Sequence, residues 1–190
     1  FSEQDVPGSA LATAAATQQQ SLYGFIDDTT QVSPVVPDVR GTNGAACPTS
    51  GGDGELVCQS LTYNTTTLKY SASTRAVDLA SKRGWYLDWP ADDRLRNGRV
   101  IGKPSLTRRG TLALTVNMPK EETCLPGGTS WAFALNGTTG GAVPKTPNGT
   151  EYYSDAGFFL ADALASRFVV VTTADGTRGL TRLSNVTTQS

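Results

Sequence analysis

Short apolar runs separated by turn residues recur along the chain and are densest over residues 84–135. There Gly84-Trp85-Tyr86-Leu87-Asp88-Trp89-Pro90 reads as an aromatic strand stopped by proline. Gly98-Arg99-Val100-Ile101 follows, then the strand Thr111-Leu112-Ala113-Leu114-Thr115-Val116, and Cys124-Leu125-Pro126-Gly127-Gly128-Thr129-Ser130-Trp131 reads as a turn feeding a last aromatic strand. Strand, turn and strand at such spacing predict antiparallel β-structure.

The flanks continue the pattern. Residues 21–27 predict a strand that is apolar on both faces and therefore interior to a sheet. Residues 55–61 and 66–73 predict a hairpin around Asn64, with Leu68 and Tyr70 on one face. Residues 168–173 form the most apolar β-branched run, Asp175-Gly176 is a two-residue hairpin signal, and residues 180–183 are the expected return. Residues 155–166, with Phe158, Phe159, Ala163 and Leu164, fit one or two helical turns or a buried extended run, and periodicity does not separate the two. Residues 28–54 and 143–154 read as long irregular connections. Residues 1–20 predict a loop or weak helix capped at Ser9, and residues 184–190 a frayed polar tail.

Composition narrows the class. At 190 residues one β domain can bury roughly 70% of its unfolded surface. Charged residues make up only 17%, and 20 Gly and 10 Pro imply many turns, which favours an all-β sandwich or propeller-like piece. A net charge of −1 argues against a nucleic-acid partner, and no apolar run approaches the ~20 residues that cross a bilayer as a helix. The chain starts at Phe1 with no signal-like segment, so a fragment of a larger protein is expected. Histidine is absent, which removes Ser-His-Asp and Cys-His nucleophilic sites and His-ligated zinc or haem.

The three cysteines, Cys47, Cys58 and Cys124, contain no C-x-x-C pair. A disulfide in an oxidising compartment is favoured over metal ligation. Cys47 and Cys58 bracket a Gly-rich loop that a bridge would close. Cys124 would then pair elsewhere, stay buried, or replace one member of that pair.

Strand pairs with an aromatic near the turn recur at blade-length intervals of about 40–50 residues. Gly84-Trp85-Tyr86-Leu87-Asp88, the Arg99-Val100 pair with Pro104, Asn117-Met118-Pro119 and the string from Cys124 to Trp131 together resemble the C-terminal β-propeller of the PilC/PilY family. These are large adhesins and biogenesis factors at type IV pilus tips. Gln20-Ser21-Leu22-Tyr23-Gly24 is similar to a further family stretch, so the resemblance covers roughly residues 18–135. Two positions depart from it: Asn97-Gly98 replaces the usual Gly-Glu before Arg-Val, and Trp89 stands where an aliphatic residue is common.

The resemblance implies the last few blades of a propeller with long loops, in a non-enzymatic protein serving tip assembly, surface attachment and mechanical support. It implies minor pilins of the tip complex as partners, a host or surface ligand, and a place at the extracellular pilus tip after export through the periplasm. The family's calcium loop lies upstream of this segment and has no counterpart here, so no metal or cofactor is expected in this chain itself. The alternative is a propeller enzyme. A quinoprotein dehydrogenase needs a cofactor cradle, and a glycan-active hydrolase needs two converging carboxylates. A site-free sandwich domain of a secreted protein is the third reading.

Candidate site residues each carry two readings. Trp85, Tyr86, Trp89 and Trp131 would form an exposed aromatic platform or pack in the core. Asp88 would orient a turn or accept from Arg99. Asp27-Asp28 and Asp92-Asp93 would be acid pairs or solvated loop charge. Arg94, Arg96, Arg99, Lys103, Arg108 and Arg109 would meet an acidic partner surface or alternate toward solvent. Gly127 and Gly128 would form an anion nest or a turn with positive φ. Asn64, Asn136, Asn148 and Asn185 each begin an Asn-x-Thr sequon, a near-chance feature in so Thr-rich a chain.

Overall fold

The computed structural model describes residues 19–26, 39–43, 47–119, 127–145, 152–167, 169–173 and 176–184. The expected helix at Ser9, Asp27-Asp28, Cys124, Asn148, Asn185 and most of the tail lie outside them. The strands are β1 (Ser21–Phe25), β2 (Leu56–Gln59), β3 (Leu61–Asn64), β4 (Lys69–Ala72), β5 (Gly84–Asp88), β6 (Ser105–Leu106), β7 (Thr111–Pro119), β8 (Gly128–Asn136), β9 (Pro144–Lys145), β10 (Tyr152–Tyr153), β11 (Gly157–Ala161), β12 (Leu164–Ala165), β13 (Val169–Thr173), β14 (Gly176–Leu180) and β15 (Leu183–Ser184). The fold is all-β, and the 3-10 turn Gly41–Asn43 is the one helical element among the described residues.

β7 and β8 form the longest ladder, nine residues each, in register from Thr111↔Asn136 to Pro119↔Gly128. They sit within a six-stranded sheet ordered β3-β4-β11-β8-β7-β6. Alternation then sorts their side chains: Leu114 and Val116 of β7 share the main core with Trp131, Phe133 and Leu135 of β8. Against that face lies a three-stranded sheet, β1-β5-β2. Its central strand β5 contributes Trp85 and Leu87, and Trp89 just beyond it joins the same core. Tyr86 points the other way and packs with Leu56 and Cys58 in a second, smaller cluster. A strand apolar on both faces suits a central position between two cores.

Several expectations are corrected. β1 is an edge strand rather than an interior one, and Tyr23, Phe25 and Ile26 stay exposed. Only β3 and β4 form the hairpin around Asn64, from Leu61↔Ala72 to Asn64↔Lys69. Residues 56–59 leave it to pair in parallel with β5, because Leu56, Val57, Cys58 and Gln59 are all buried, a pattern a one-faced hairpin strand would not show. Leu68 occupies the turn at φ 57° and is exposed, so it does not share a face with buried Tyr70.

Residues 157–161 are extended, which settles the helix-or-strand ambiguity. Gly157 lies so close to Phe133 that a Cβ there would come within 2.3 Å of its ring, and β11 fills the slot between β4 and β8 with a bulge after Phe159. The β13–β14 hairpin is present, but Gly176 already pairs with Thr173 and β14 ends at Leu180. Leu183 pairs instead with Ala165, and Ser184, expected in the frayed tail, pairs with Leu164. Arg99 makes a single bridge to Asn117, and the 143–154 connection holds the β9–β10 pair. No sheet among the described residues closes on itself.

The back of the six-stranded sheet is closed by a polar latch. Asn117, 1% exposed, donates from Nδ2 to the Ala165 carbonyl at 2.9 Å. Its Oδ1 accepts from the Ala165 N–H at 2.7 Å. The side-chain amide thus imitates a ladder partner for β12, and Thr115 Oγ1 adds a bond to Ser166 O at 3.0 Å. Asn117→Ala strands both Ala165 groups in a dry site, at about 1–3 kcal/mol for each unpaired group. Urea unfolding should register a loss of about 2–4 kcal/mol; a loss no larger than that of an exposed control substitution would contradict the latch.

Candidate functional site

Trp85, Tyr86, Trp89 and Trp131 are all buried, at 3%, 1%, 3% and 4% exposure. The aromatic platform is therefore a core. Tyr70 stands at its centre, with ring centroids 5.1 Å from Trp131 and 5.9 Å from Phe133. Trp89 packs on Phe133 at 5.1 Å, and Trp85 Nε1 donates to Gly137 O at 3.1 Å. Trp85 Nε1 and the Tyr70 hydroxyl, the latter on Asp92, each find an acceptor, as burial favours.

Asp88 does not accept from Arg99. Its partner is Arg40, from a stretch that sequence reasoning passed over as irregular connection. Arg40 grips the Asp88 carboxylate with both ends of its fork, Nη1–Oδ2 at 2.8 Å and Nη2–Oδ1 at 2.7 Å. Ser21 Oγ donates to Asp88 Oδ1 at 2.5 Å, and Tyr23 Oη accepts from Arg40 Nη2 at 2.7 Å. The guanidinium lies 4.5 Å from the Tyr86 ring centroid. Arg40 thereby straps β1 to β5 across the outer face of the three-stranded sheet. The hydrogen bonds to Asp88 hold its pKa above the usual arginine value despite partial burial. Burial likewise pushes the Tyr86 hydroxyl up. The carboxylate is pinned on both oxygens, which suits a staple rather than a proton-transfer group.

Asp92 and Asp93 do not act as a pair. Asp92 accepts from Tyr70 Oη at 2.8 and 2.9 Å and from the backbone N–H groups of Arg94 and Leu95, so it caps the turn and reaches into the core. Asp93 meets Arg96 at 3.5 Å on the surface. No group of three or more potential metal-binding side chains gathers among the described residues. Beside Trp89, a recess of about 160 Å³ is lined by Gln19, Gln20, Pro90, Leu95, Arg96 and Asn97. It is smaller than the ~300–1,000 Å³ of small-molecule pockets and would admit one side chain.

Cys47 and Cys58 form the disulfide, with Cα atoms 5.7 Å apart. Arg75 holds the bridged loop in place by donating to Thr49 O at 3.0 Å and Cys58 O at 2.9 Å. Gln59, also missed, is fully buried and satisfied by Arg75 O, Thr139 O and the Ser73 hydroxyl. Gly128 lies in a strand without positive φ rather than in a turn. Gly128 is the first residue of β8, and a Cβ there would come within 2.3 Å of Met118 O. The sequon asparagines Asn64 and Asn136 are turn formers. Each Oδ1 accepts from the backbone N–H groups two and three residues ahead, at 2.9–3.0 Å for Asn64 and 2.9–3.3 Å for Asn136, a geometry in which the side chain mimics a backbone turn.

Two outcomes follow. Arg40→Met keeps a stem over Tyr86 but leaves Asp88, 11% exposed, without its counter-charge. Urea unfolding should show a loss of about 1–3 kcal/mol, partly recovered by adding Asp88→Asn. Second, burial first and the Asp92 hydrogen bond next hold the Tyr70 hydroxyl well above the ordinary tyrosine range. A phenol raised by folding stabilises fully below its unfolded value of about 10. That contribution fades as pH rises further, because the unfolded chain releases the proton while the folded chain keeps it. Unfolding free energy should fall between about pH 9 and about pH 11.5, less steeply in Tyr70→Phe; equal slopes would refute the assignment.

No family model, curated protein or solved structure matches the chain.

Proposed function

We propose that this chain supplies propeller blades to a type IV pilus tip adhesin and biogenesis factor of the PilC/PilY kind, serving tip assembly, attachment and mechanical support. One observation carries the reading. The separate strings that resemble the family meet in space: Asn117, Met118 and Pro119 pair with Ser130, Thr129 and Gly128. Trp85 and Leu87 of the Gly84–Asp88 string share one core with Val116 and Trp131 of that same ladder. Strings that recur together in order would be expected to form one packing unit, and these do.

The disulfide, and the lack among the described residues of a helix long and apolar enough to cross a membrane, are compatible with an extracellular protein. Its partners would be the minor pilins of the tip complex, contacted through other surface residues, since Trp85, Tyr86, Trp89 and Trp131 are buried. Laterally hydrogen-bonded ladders stapled by Arg40, Asn117 and a disulfide suit a part that bears pulling force.

Antibodies raised against this chain should label filament ends in electron micrographs of the piliated source bacterium, and deleting the coding segment should reduce piliation or attachment. Labelling confined to the cell body, with piliation and attachment unchanged by the deletion, would overturn the proposal.

A further inference from the structure

We propose that the Cys47–Cys58 bridge is an exchangeable disulfide, opened by a low-molecular-weight thiol that enters at Cys47, with Arg75 holding the Cys47 sulfur once it is free. The inference stands on the surroundings of the two sulfurs and does not require the pilus reading.

The two cysteines stand in unlike places. Cys58 is 0% exposed and packs with Leu56 and Tyr86, where burial penalises a charged sulfur and favours the thiol. Cys47 is only half-buried, against the rim of that cluster. Arg75 Nη1 donates toward Cys47 Sγ at 3.3 Å. A disulfide sulfur is a weak acceptor, so this contact contributes little while the bridge is closed.

The state of Arg75 supplies the second observation. It is half-buried, and its other hydrogen bonds go to neutral groups: the carbonyls of Thr49 and Cys58 and the hydroxyls of Ser60 and Ser73. No carboxylate pairs with it among the described residues, whereas Arg40, Lys69, Arg83 and Arg96 each have one. Pinning a loop by its carbonyls needs donors; it does not need a half-buried charge without a counter-ion. The remaining groups around the bridge do not supply one. Gln59 O lies 3.5 Å from both sulfurs and does not distinguish them. Burial keeps the Tyr86 hydroxyl protonated, and Arg40 above that ring is already paired with Asp88. Opening the bridge provides the missing anion. A Cys47 thiolate turns the weak contact into a charge-assisted one, so Arg75 favours the reduced pair and makes Cys47 its nucleophilic sulfur.

The exchange runs in two displacements. A thiolate RS− attacks Cys47 Sγ, the Cys47–Cys58 bond breaks, and Cys58 departs with the electron pair and takes a proton from water. Attack on Cys58 would expel the better leaving group, but its burial closes that approach. A second RS− attacks the outer sulfur of the mixed disulfide, forming RSSR and releasing Cys47 as a thiolate beside Arg75. Two thiols are oxidised and one bridge is reduced.

The test uses the full chain carrying Cys124→Ser, exposed to millimolar glutathione, quenched with acid and mapped by mass spectrometry. Glutathione should appear on Cys47 and not on Cys58. In the same chain with Cys58→Ser added, iodoacetamide should alkylate Cys47 with a half-maximal rate at about pH 7.5 or below, against about 8.5 for an ordinary cysteine. Arg75→Gln, which keeps donors for the carbonyls, should return that midpoint to about 8.5. An adduct on Cys58, no adduct at all, or a midpoint unmoved by Arg75→Gln would overturn the proposal. So would a midpoint at or above the ordinary value with Arg75 intact, which decides the matter even where the Arg75 variant does not fold.

Discussion

The structure depends on β5 being buried on both faces. Trp85 and Leu87, with Trp89 beyond the strand, project into the main core, while Tyr86 turns toward Leu56 and Cys58. Because one strand feeds two cores, the three-stranded sheet is not a free appendage. Its middle strand is held from above by the six-stranded sheet and from below by the disulfide loop. The start of β5 reflects this crowding. Gly84 has φ 153°, and a Cβ there would come within 2.0 Å of Gly24 O, so the crossing of β1 and β5 tolerates glycine alone. Apolar area of this size stabilises at roughly 25 cal/mol per Å², which makes the aromatic cluster the main favourable term and the polar contacts its alignment.

Those polar contacts share one design. Asn117 receives β12, Gln59 joins the 73–75 and 136–141 segments to β2, Asp92 receives the hydroxyl of Tyr70, and Arg40 ties β1 to β5. Each links segments distant in sequence, and each is buried or half-buried, where an unmade hydrogen bond costs more than a made one contributes. Such groups select one arrangement of sheets over others of similar apolar burial. Sliding one segment past another would expose unpaired groups at once.

The aromatic residues that drew attention as a binding platform are consumed by this construction, which changes where function has to be sought. Contact with a partner would fall to side chains that the fold leaves exposed.

Elements set by local chemistry were legible in the sequence. The aromatic strand at 84–88, the ladder strands near 111 and 131, the turn at Asn64 and the hairpin near Asp175 all follow from alternation, glycine and asparagine, whose effects act over a few residues. The Cys47–Cys58 loop was legible as one of several pairings. Arg40, Gln59 and Asn117 were not, although a lone Asn in an apolar alternating run is a faint signal of a buried polar contact. Their partners lie 48, 80 and 48 residues away, and no local pattern encodes such a distance. For the same reason the sequence did not reveal that residues 56–59 would leave their hairpin to run parallel to β5, or that the aromatics would face inward. Alternation determines which side chains share a face; only the packing of one sheet on another decides which face is dry.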